Sequence, residues 1–229
     1  MTGFFIALEG SEGAGKSTQA RLLTEWLQAA GKPVLLTREP GGTALGEQVR
    51  DLLLAPGAHA ILAEAETLLY AAARAQHVRE VLLPALASGS VVVCDRYVDS
   101  TLAYQGGGRG LPLASLLGVQ EFATGGLLPD LRILLDLPVE VGLARRLSGA
   151  EAVNHLDRAG VAFHERVRST YVDLIDADPA CWAVVDADGP PEIVANRVME
   201  AVAARLPLFP PVDPDGLTGD ARATVVETR

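Results

Sequence analysis

Lysine, cysteine, methionine and tryptophan are all scarce in this 229-residue chain, with two of each. The two cysteines, Cys94 and Cys181, lack CxxC or metal-ligand spacing and fall in short β-like runs, so they read as buried, reduced thiols rather than a disulfide. His59, His77, His155 and His164 are scattered without carboxylate or cysteine partners at ligand spacings, which argues against a structural zinc site. No apolar run approaches the ~18 residues of a membrane span. Phe4 to Leu8 lacks a basic leader and runs into a glycine loop, so no secretory signal is expected and the chain is placed in the cytoplasm, off the membrane. Positive charge is also short: the net charge of -10 argues against a nonspecific grip on nucleic acid, which needs a broad basic surface. Small phosphorylated ligands stay admissible, because they need only a local cluster of cations.

Short β-branched or leucine-rich runs alternate with longer helical stretches, as in a parallel sheet covered by helices on both faces. Strands are predicted at Phe4 to Leu8, Val34 to Thr37, Val91 to Cys94, Leu131 to Leu135 and Ala183 to Val185. Leu22, Leu23, Trp26, Leu27 and Ala30 recur at helical spacing, and Gly31 and Pro33 supply a stop. Further helices are expected near Leu45 to Leu54, Glu64 to Leu82, Leu113 to Ala123, Val139 to Leu147, Val161 to Asp176 and Pro191 to Arg205. The length suits one α/β domain, here 1–206. Pro207, Pro210, Pro211 and Pro214 open a polar stretch that reads as a mobile tail over 207–229.

Gly10-Ser11-Glu12-Gly13-Ala14-Gly15-Lys16-Ser17 fits G-x-x-x-x-G-K-[ST], after a predicted strand and before a predicted helix. Its glycines let successive N–H groups face phosphate oxygens at the positive end of the following helix. The motif predicts a three-layer P-loop NTPase fold with ATP held by residues 10–17 and Thr18. Lys16 would reach the β and γ phosphates, and the Ser17 hydroxyl would meet Mg²⁺, a hard cation suited to oxygen ligands. A GTPase would carry an Asn-Lys-x-Asp motif after a later strand; with lysines only at 16 and 32, none is possible.

Val91 to Tyr97 puts an acid and a guanidinium just past a buried strand, at the carboxyl edge where open α/β sheets bind ligands. Asp95 can hold Mg²⁺ directly or through water, while the Arg96 fork can span donor and acceptor phosphates. The bland alternative is an ion pair between the two neighbours.

At this point the chain resembles the thymidylate kinase family. Asp95-Arg96-Tyr97-Val98-Asp99-Ser100-Thr101-Leu102-Ala103-Tyr104-Gln105 matches its D-R-[YFW]-x-x-S-x-x-A-Y-Q segment, Arg38-Glu39-Pro40-Gly41-Gly42-Thr43 its R-E-P-G-G-T loop, and Leu68 to His77 its base-binding helix. The resemblance runs from residue 3 to about 205. It implies transfer of a phosphoryl group from ATP to dTMP, with Mg²⁺, in a homodimer packed through helices. Tyr70 and Arg74 lie four apart on one helix face, so the ring can stack on a pyrimidine while the guanidinium donates to its O4 carbonyl. Without the other motifs, Tyr70 would read as a core aromatic.

The resemblance further implies Thr101 near thymine N3, Tyr104 where a ribose 2′-hydroxyl would sit, Ser100 and Gln105 in the same substrate segment, and Glu12 near the sugar 3′-hydroxyl. Arg38, Arg50 and Arg96 are its candidates for the acceptor phosphate; Arg50 can equally be a solvated arginine paired with Glu47. Arg145, Arg146 and Arg158 flank a glycine-containing, weakly periodic stretch, read as a lid over about 147–158. Arg158, after Asp157, is the lid's candidate for the transition state, alongside Lys16 and Arg96, while Arg145 and Arg146 can be exposed helix charges. Two rivals stay open: a kinase for another monophosphate, and an ATP-dependent switch that makes no diphosphate.

Overall fold

The computed structural model describes residues 3–54, 61–149, 153–154 and 156–206; the expected tail at 207–229, His59, His155 and part of the expected lid lie outside the described residues. Five strands form one parallel sheet: β1 (Phe4–Glu9), β2 (Val34–Arg38), β3 (Val91–Asp95), β4 (Leu131–Asp136) and β5 (Trp182–Asp186). Their order is β2-β3-β1-β4-β5. All five predicted strands are present, and each runs one residue further at its carboxyl end. The added residues are Glu9, Arg38, Asp95, Asp136 and Asp186. Apolar patterning stops short of them because they stand where the strands leave the core and meet the ligand edge of the sheet.

Alternation along the strands splits the core into two layers. Ile6 and Leu8 of β1, Val91 and Val93 of β3 and Leu131, Ile133 and Leu135 of β4 pack on Leu23 and Leu27 of α1 (Lys16–Ala29) and Val194, Val198 and Val202 of α9 (Pro191–Ala203). Phe5, Ala7, Val92 and Cys94 face the other way, onto Val78, Leu82, Tyr97, Leu102 and Leu116. Each fully buried leucine in these layers contributes about 1.5–3 kcal/mol. Helices α2 (Ala44–Leu54), α3 (Ala63–His77), α6 (Leu113–Thr124), α7 (Val139–Ser148) and α8 (Val161–Ala177) fall near their predicted spans. The predicted helix ending at Leu82 passes through a widened turn, Val78–Leu82, into a short α4 (Leu83–Ala87). Cys94 is buried as expected, but Cys181 is half-exposed in a single tight turn, Pro179–Cys181, before β5.

One helix was not expected. After β3 the chain forms α5 (Val98–Thr101) and widens into a π-helical run, Leu102–Gly108. Three glycines hide this run from helical patterning, yet two of them, Gly107 and Gly108, are what lets α8 lie against it, while Gly106 faces Leu113 and Leu116 of α6. A Cβ on Gly107 would sit 1.9 Å from Thr170 Oγ1. Carbonyls that a π-turn leaves without ordinary helical partners are met from α8, where Arg166 Nε donates to Gly107 O at 3.2 Å and Nη2 to Gly108 O at 2.8 Å. The segment carrying Ser100, Thr101, Tyr104 and Gln105 is thereby clamped between the sheet and α8.

Candidate active site

The loop from Gly10 to Gly15 leaves β1 at the charged edge, and α1 begins at Lys16. Gly15, at φ 87°, takes the left-handed conformation that turns the chain into the helix. Gly13 is also left-handed (φ 72°), and a Cβ there would meet the Gly142 carbonyl oxygen of α7 at 1.9 Å. The phosphate loop and the first turn of α7 are thus in backbone contact. Lys16 Nζ donates to Ser11 O at 2.7 Å, which holds the ammonium over the loop. Burial and the nearby Arg96 draw its pKa down to about 8, against the pull of Glu12, Asp95 and Glu9.

A cavity of about 830 Å³ opens at this edge. From the loop and α1 it is lined by Glu12, Gly13, Gly15, Lys16, Ser17 and Thr18, from β2 and its sequel by Arg38 and Glu39, and from α2 and α3 by Arg50, Tyr70 and Arg74. Asp95, Arg96, Ser100, Thr101, Tyr104 and Gln105 line it from β3 onward. The predicted substrate residues therefore share one cavity with Lys16. Gly10, Ser11 and Ala14 are not on its wall: Gly10 and Ser11 supply carbonyls to Arg96 and Lys16, and Ala14 is a core residue. Ser17 Oγ donates to Asp95 Oδ2 at 2.5 Å, bringing a hydroxyl and a carboxylate, both hard oxygen donors, to one point on the wall, a donor set that fits a divalent cation such as Mg²⁺.

Arg96 is the only residue other than glycine with positive φ among the described residues, at 73°. Such a backbone costs on the order of 1–3 kcal/mol and persists where its surroundings hold it. Here Arg96 N donates to Leu8 O at 3.0 Å, and Tyr97 N donates to Glu9 Oε1 at 2.8 Å. The kink turns the guanidinium into the cavity, away from Asp95, so the two neighbours do not pair. Arg96 Nη1 donates to Gly10 O and Ser100 Oγ, both at 3.2 Å, and Nη2 to Glu12 Oε1 at 2.9 Å and Tyr104 Oη at 3.2 Å. The guanidinium also lies 4.9 Å from the Tyr104 ring centre.

Burial alone would raise the Glu12 carboxyl, but Arg96 and Lys16 outweigh it and hold it down at about 2. A folded pKa below the ordinary value of 4.5 means that the unfolded state binds more protons between the two values. The stability from Glu12 is therefore complete above about pH 4.5 and is lost as the pH falls towards 2. Glu12→Gln is expected to flatten that part of the acid-unfolding curve, followed by circular dichroism, and to leave the curve above pH 5 parallel to that of the unsubstituted protein.

Arg38 and Arg50 both line the cavity, but Glu47 pairs with Arg38 and not, as the alternative for Arg50 had it, with Arg50. Arg38, at a strand end, pairs with Glu47 at 3.0 Å and is half-exposed, whereas Arg50 is held by Pro40 O at 3.1 Å. Glu47 also accepts from Gly42 N at 3.0 Å, which ties it to the loop after β2 and so to Arg38 rather than to the arginine three residues on. Arg145 and Arg146, which flank the expected lid, reach the cavity wall. Arg145 is tied to Ala187 O and Asp188, and Arg146 to Asp157. Arg158 is exposed and is not on the wall.

Three supporting groups were not singled out from sequence. Glu9 is wholly buried and accepts from Ser100 Oγ (2.5 Å) and Tyr171 Oη (2.8 Å) as well as Tyr97 N. Burial, and then the Asp99 carboxylate, push it up to about 7. Glu39 takes Arg74 Nε at 2.6 Å on one oxygen and meets His77 Nδ1 at 2.9 Å on the other. Gln120 of α6 accepts from Arg74 Nη1. An acid closing the run Phe-Phe-Ile-Ala-Leu-Glu was a usable sign for Glu9; for Gln120 the sequence offers none.

A profile of the family described as Thymidylate kinase matches residues 8–198. The chain belongs to the thymidylate kinase family. A thymidylate kinase of Thermomicrobium roseum is 55% identical over 199 residues, covering 87% of this chain and 94% of the relative. One from Pseudomonas savastanoi is 55% identical over 193 residues (83% and 90%), and one from Herpetosiphon aurantiacus 48% over 226 (88% and 96%). The family's matched span covers the phosphate loop from Gly10, the Arg38 loop, α3 and the segment after β3, which are the elements that close around the cavity.

Proposed function

We infer that the protein phosphorylates dTMP to dTDP with ATP, a step in dTTP synthesis, and that the two substrates meet end to end between Lys16 and Arg96. The single observation that carries this reading is that the Lys16 ammonium and the Arg96 guanidinium line one cavity together with Tyr70, Arg74 and Thr101. The donor triphosphate would lie along residues 10–18, and the acceptor phosphate against Arg96, Arg38 and Arg50. Tyr70 would cover the face of the pyrimidine, Arg74 and Thr101 would read its edge, and Tyr104 and Glu12 would border the sugar, with Ser100 and Gln105 shaping the segment. Ser17 and Asp95 would hold Mg²⁺, which when bound neutralises phosphate charge.

The acceptor phosphate oxygen attacks the γ phosphorus in line, the bond to the β-bridging oxygen breaks, and ADP leaves. No covalent enzyme intermediate is needed. The chain's own contribution is positioning and charge neutralisation by Lys16 and Arg96. Arg158 would join them by closure of the lid, since it starts outside the cavity. The exposed Leu68 of α3 and Leu113 and Leu117 of α6 support a homodimer joined through these helices. The cytoplasm is the setting proposed for it; among the described residues no helix is long and apolar enough to cross a membrane.

The test is a panel of monophosphates assayed for ADP release with ATP. dTMP should be used best, dCMP poorly, and ADP should not accumulate without an acceptor. Equal use of dCMP would contradict the Arg74 reading, and ATP turnover without dTDP would support the switch.

A further inference from the structure

Arg74 is 2% exposed, and its five N–H bonds can be accounted for one by one. Nε donates to Glu39 Oε2 at 2.6 Å. Nη1 donates to Thr101 Oγ1 at 3.0 Å and to Gln120 Oε1, and Nη2 donates to Tyr97 O at 2.9 Å. Four of the five are thus spent on three sides of the guanidinium plane, and one N–H of Nη2 is left. Since Arg74 reaches the cavity wall, that remaining donor is the group available to an acceptor on a bound base.

Gln120 is the unusual member of this set. It is 2% exposed, sits on α6 outside the cavity wall, and its Nε2 has no hydrogen-bond partner among the described residues. A buried amide donor left unmet destabilises the fold, because it loses its water without gaining a partner. A leucine or methionine would fill the position without that cost. The amide oxygen must face Arg74, because a guanidinium offers only donors. What the glutamine supplies that an apolar side chain cannot is an uncharged acceptor on Nη1, opposite the carboxylate on Nε.

We propose that Gln120 is a positioning residue for base selectivity, fixing the Arg74 plane so that its one remaining N–H is presented to a pyrimidine carbonyl and repels an amino group at the same place. This rests on the reading of Arg74 as the group that meets the base. With Gln120 removed, Nη1 gains a free N–H and the guanidinium is no longer held on all sides. The base edge is then read less sharply, while the phosphate end of the site, held by Lys16 and Arg96, is unaffected.

The experiment compares kcat/KM for dTMP and dCMP in the unsubstituted protein, Gln120→Met, Gln120→Glu and Arg74→Lys. Gln120→Met is expected to lower the dTMP:dCMP ratio by about tenfold or more, the scale of one hydrogen bond to a charged group. The change should fall on KM for dTMP, with kcat and the KM for ATP nearly constant. Gln120→Glu keeps an oxygen acceptor and should keep the ratio. A purely structural role would depress activity towards both monophosphates alike and leave the ratio where it was. An unchanged ratio in Gln120→Met with a lowered one in Arg74→Lys overturns this inference alone, as does a Gln120→Glu ratio that falls as far as that of Gln120→Met. An unchanged ratio in Arg74→Lys overturns the reading of Arg74 and this inference with it. Should Gln120→Met not purify folded, Gln120→Ala removes the same acceptor and is read in its place.

Discussion

Lys16→Ala is expected to lower kcat by about 10²- to 10³-fold, the usual consequence of removing one preorganised donor from a site of developing charge. The ammonium stands at the mouth of the helix, where on the proposed reading the transferred phosphoryl group gathers negative charge, and little else can take its place: the chain's other lysine, Lys32, lies beyond the far end of α1. The fold should survive. Among the described residues the Lys16 side chain makes one hydrogen bond, to Ser11 O, and α1 is anchored by Leu23 and Leu27 rather than by its first residue. A coupled assay of ADP release, with thermal unfolding as the control, separates the two effects. Turnover near that of the unsubstituted protein would remove Lys16 from the mechanism.

Arg96→Lys should be nearly as damaging, with kcat down by about 10²-fold or more, although charge is conserved. A planar fork reaches Gly10 O, Ser100, Glu12 and Tyr104 at once; an ammonium is a single point on a flexible stem and cannot span them. Glu12 would keep a positive neighbour but lose its fixed geometry, and Tyr104 would lose the flat cation over its ring. Single-turnover measurements with saturating ATP and dTMP would place the loss in the chemical step. A rate within twofold of the unsubstituted protein would mean that the fork is not used in transfer.

The fold was legible because buried parallel strands advertise themselves as apolar runs, and the phosphate loop has a spacing that few other structures need. The site was legible where its residues fall in motifs: Lys16, Tyr70, Arg74, Asp95, Arg96, Thr101 and Tyr104 all reach one cavity. What escaped has physical causes. The charged last residue of each strand breaks the apolar pattern at the point where function begins, so Glu9 was left out of β1 although it is wholly buried. The run Leu102–Gly108 is helical only because α8 covers it, a long-range fact invisible to local spacing. Glu47 meets Arg38 rather than Arg50, three residues away on its own helix, because the loop after β2 and not separation along the chain decides the pairing. The two oxygens of Glu39 and the amide of Gln120 act from separate elements on one arginine, and no spacing along the chain records such a meeting.

The contact between the backbones at Gly13 and Gly142 limits how this catalyst can change. A side chain at position 13 would drive into a carbonyl 1.9 Å away, and one at 142 would strike Glu12 O at 2.4 Å. A cation for the γ phosphate cannot therefore be grafted at position 13 by a single substitution; α7 would have to retreat first, carrying Arg145 and Arg146 with it. At position 13 the placement of positive charge and the seating of that helix are coupled, so neither can change without the other.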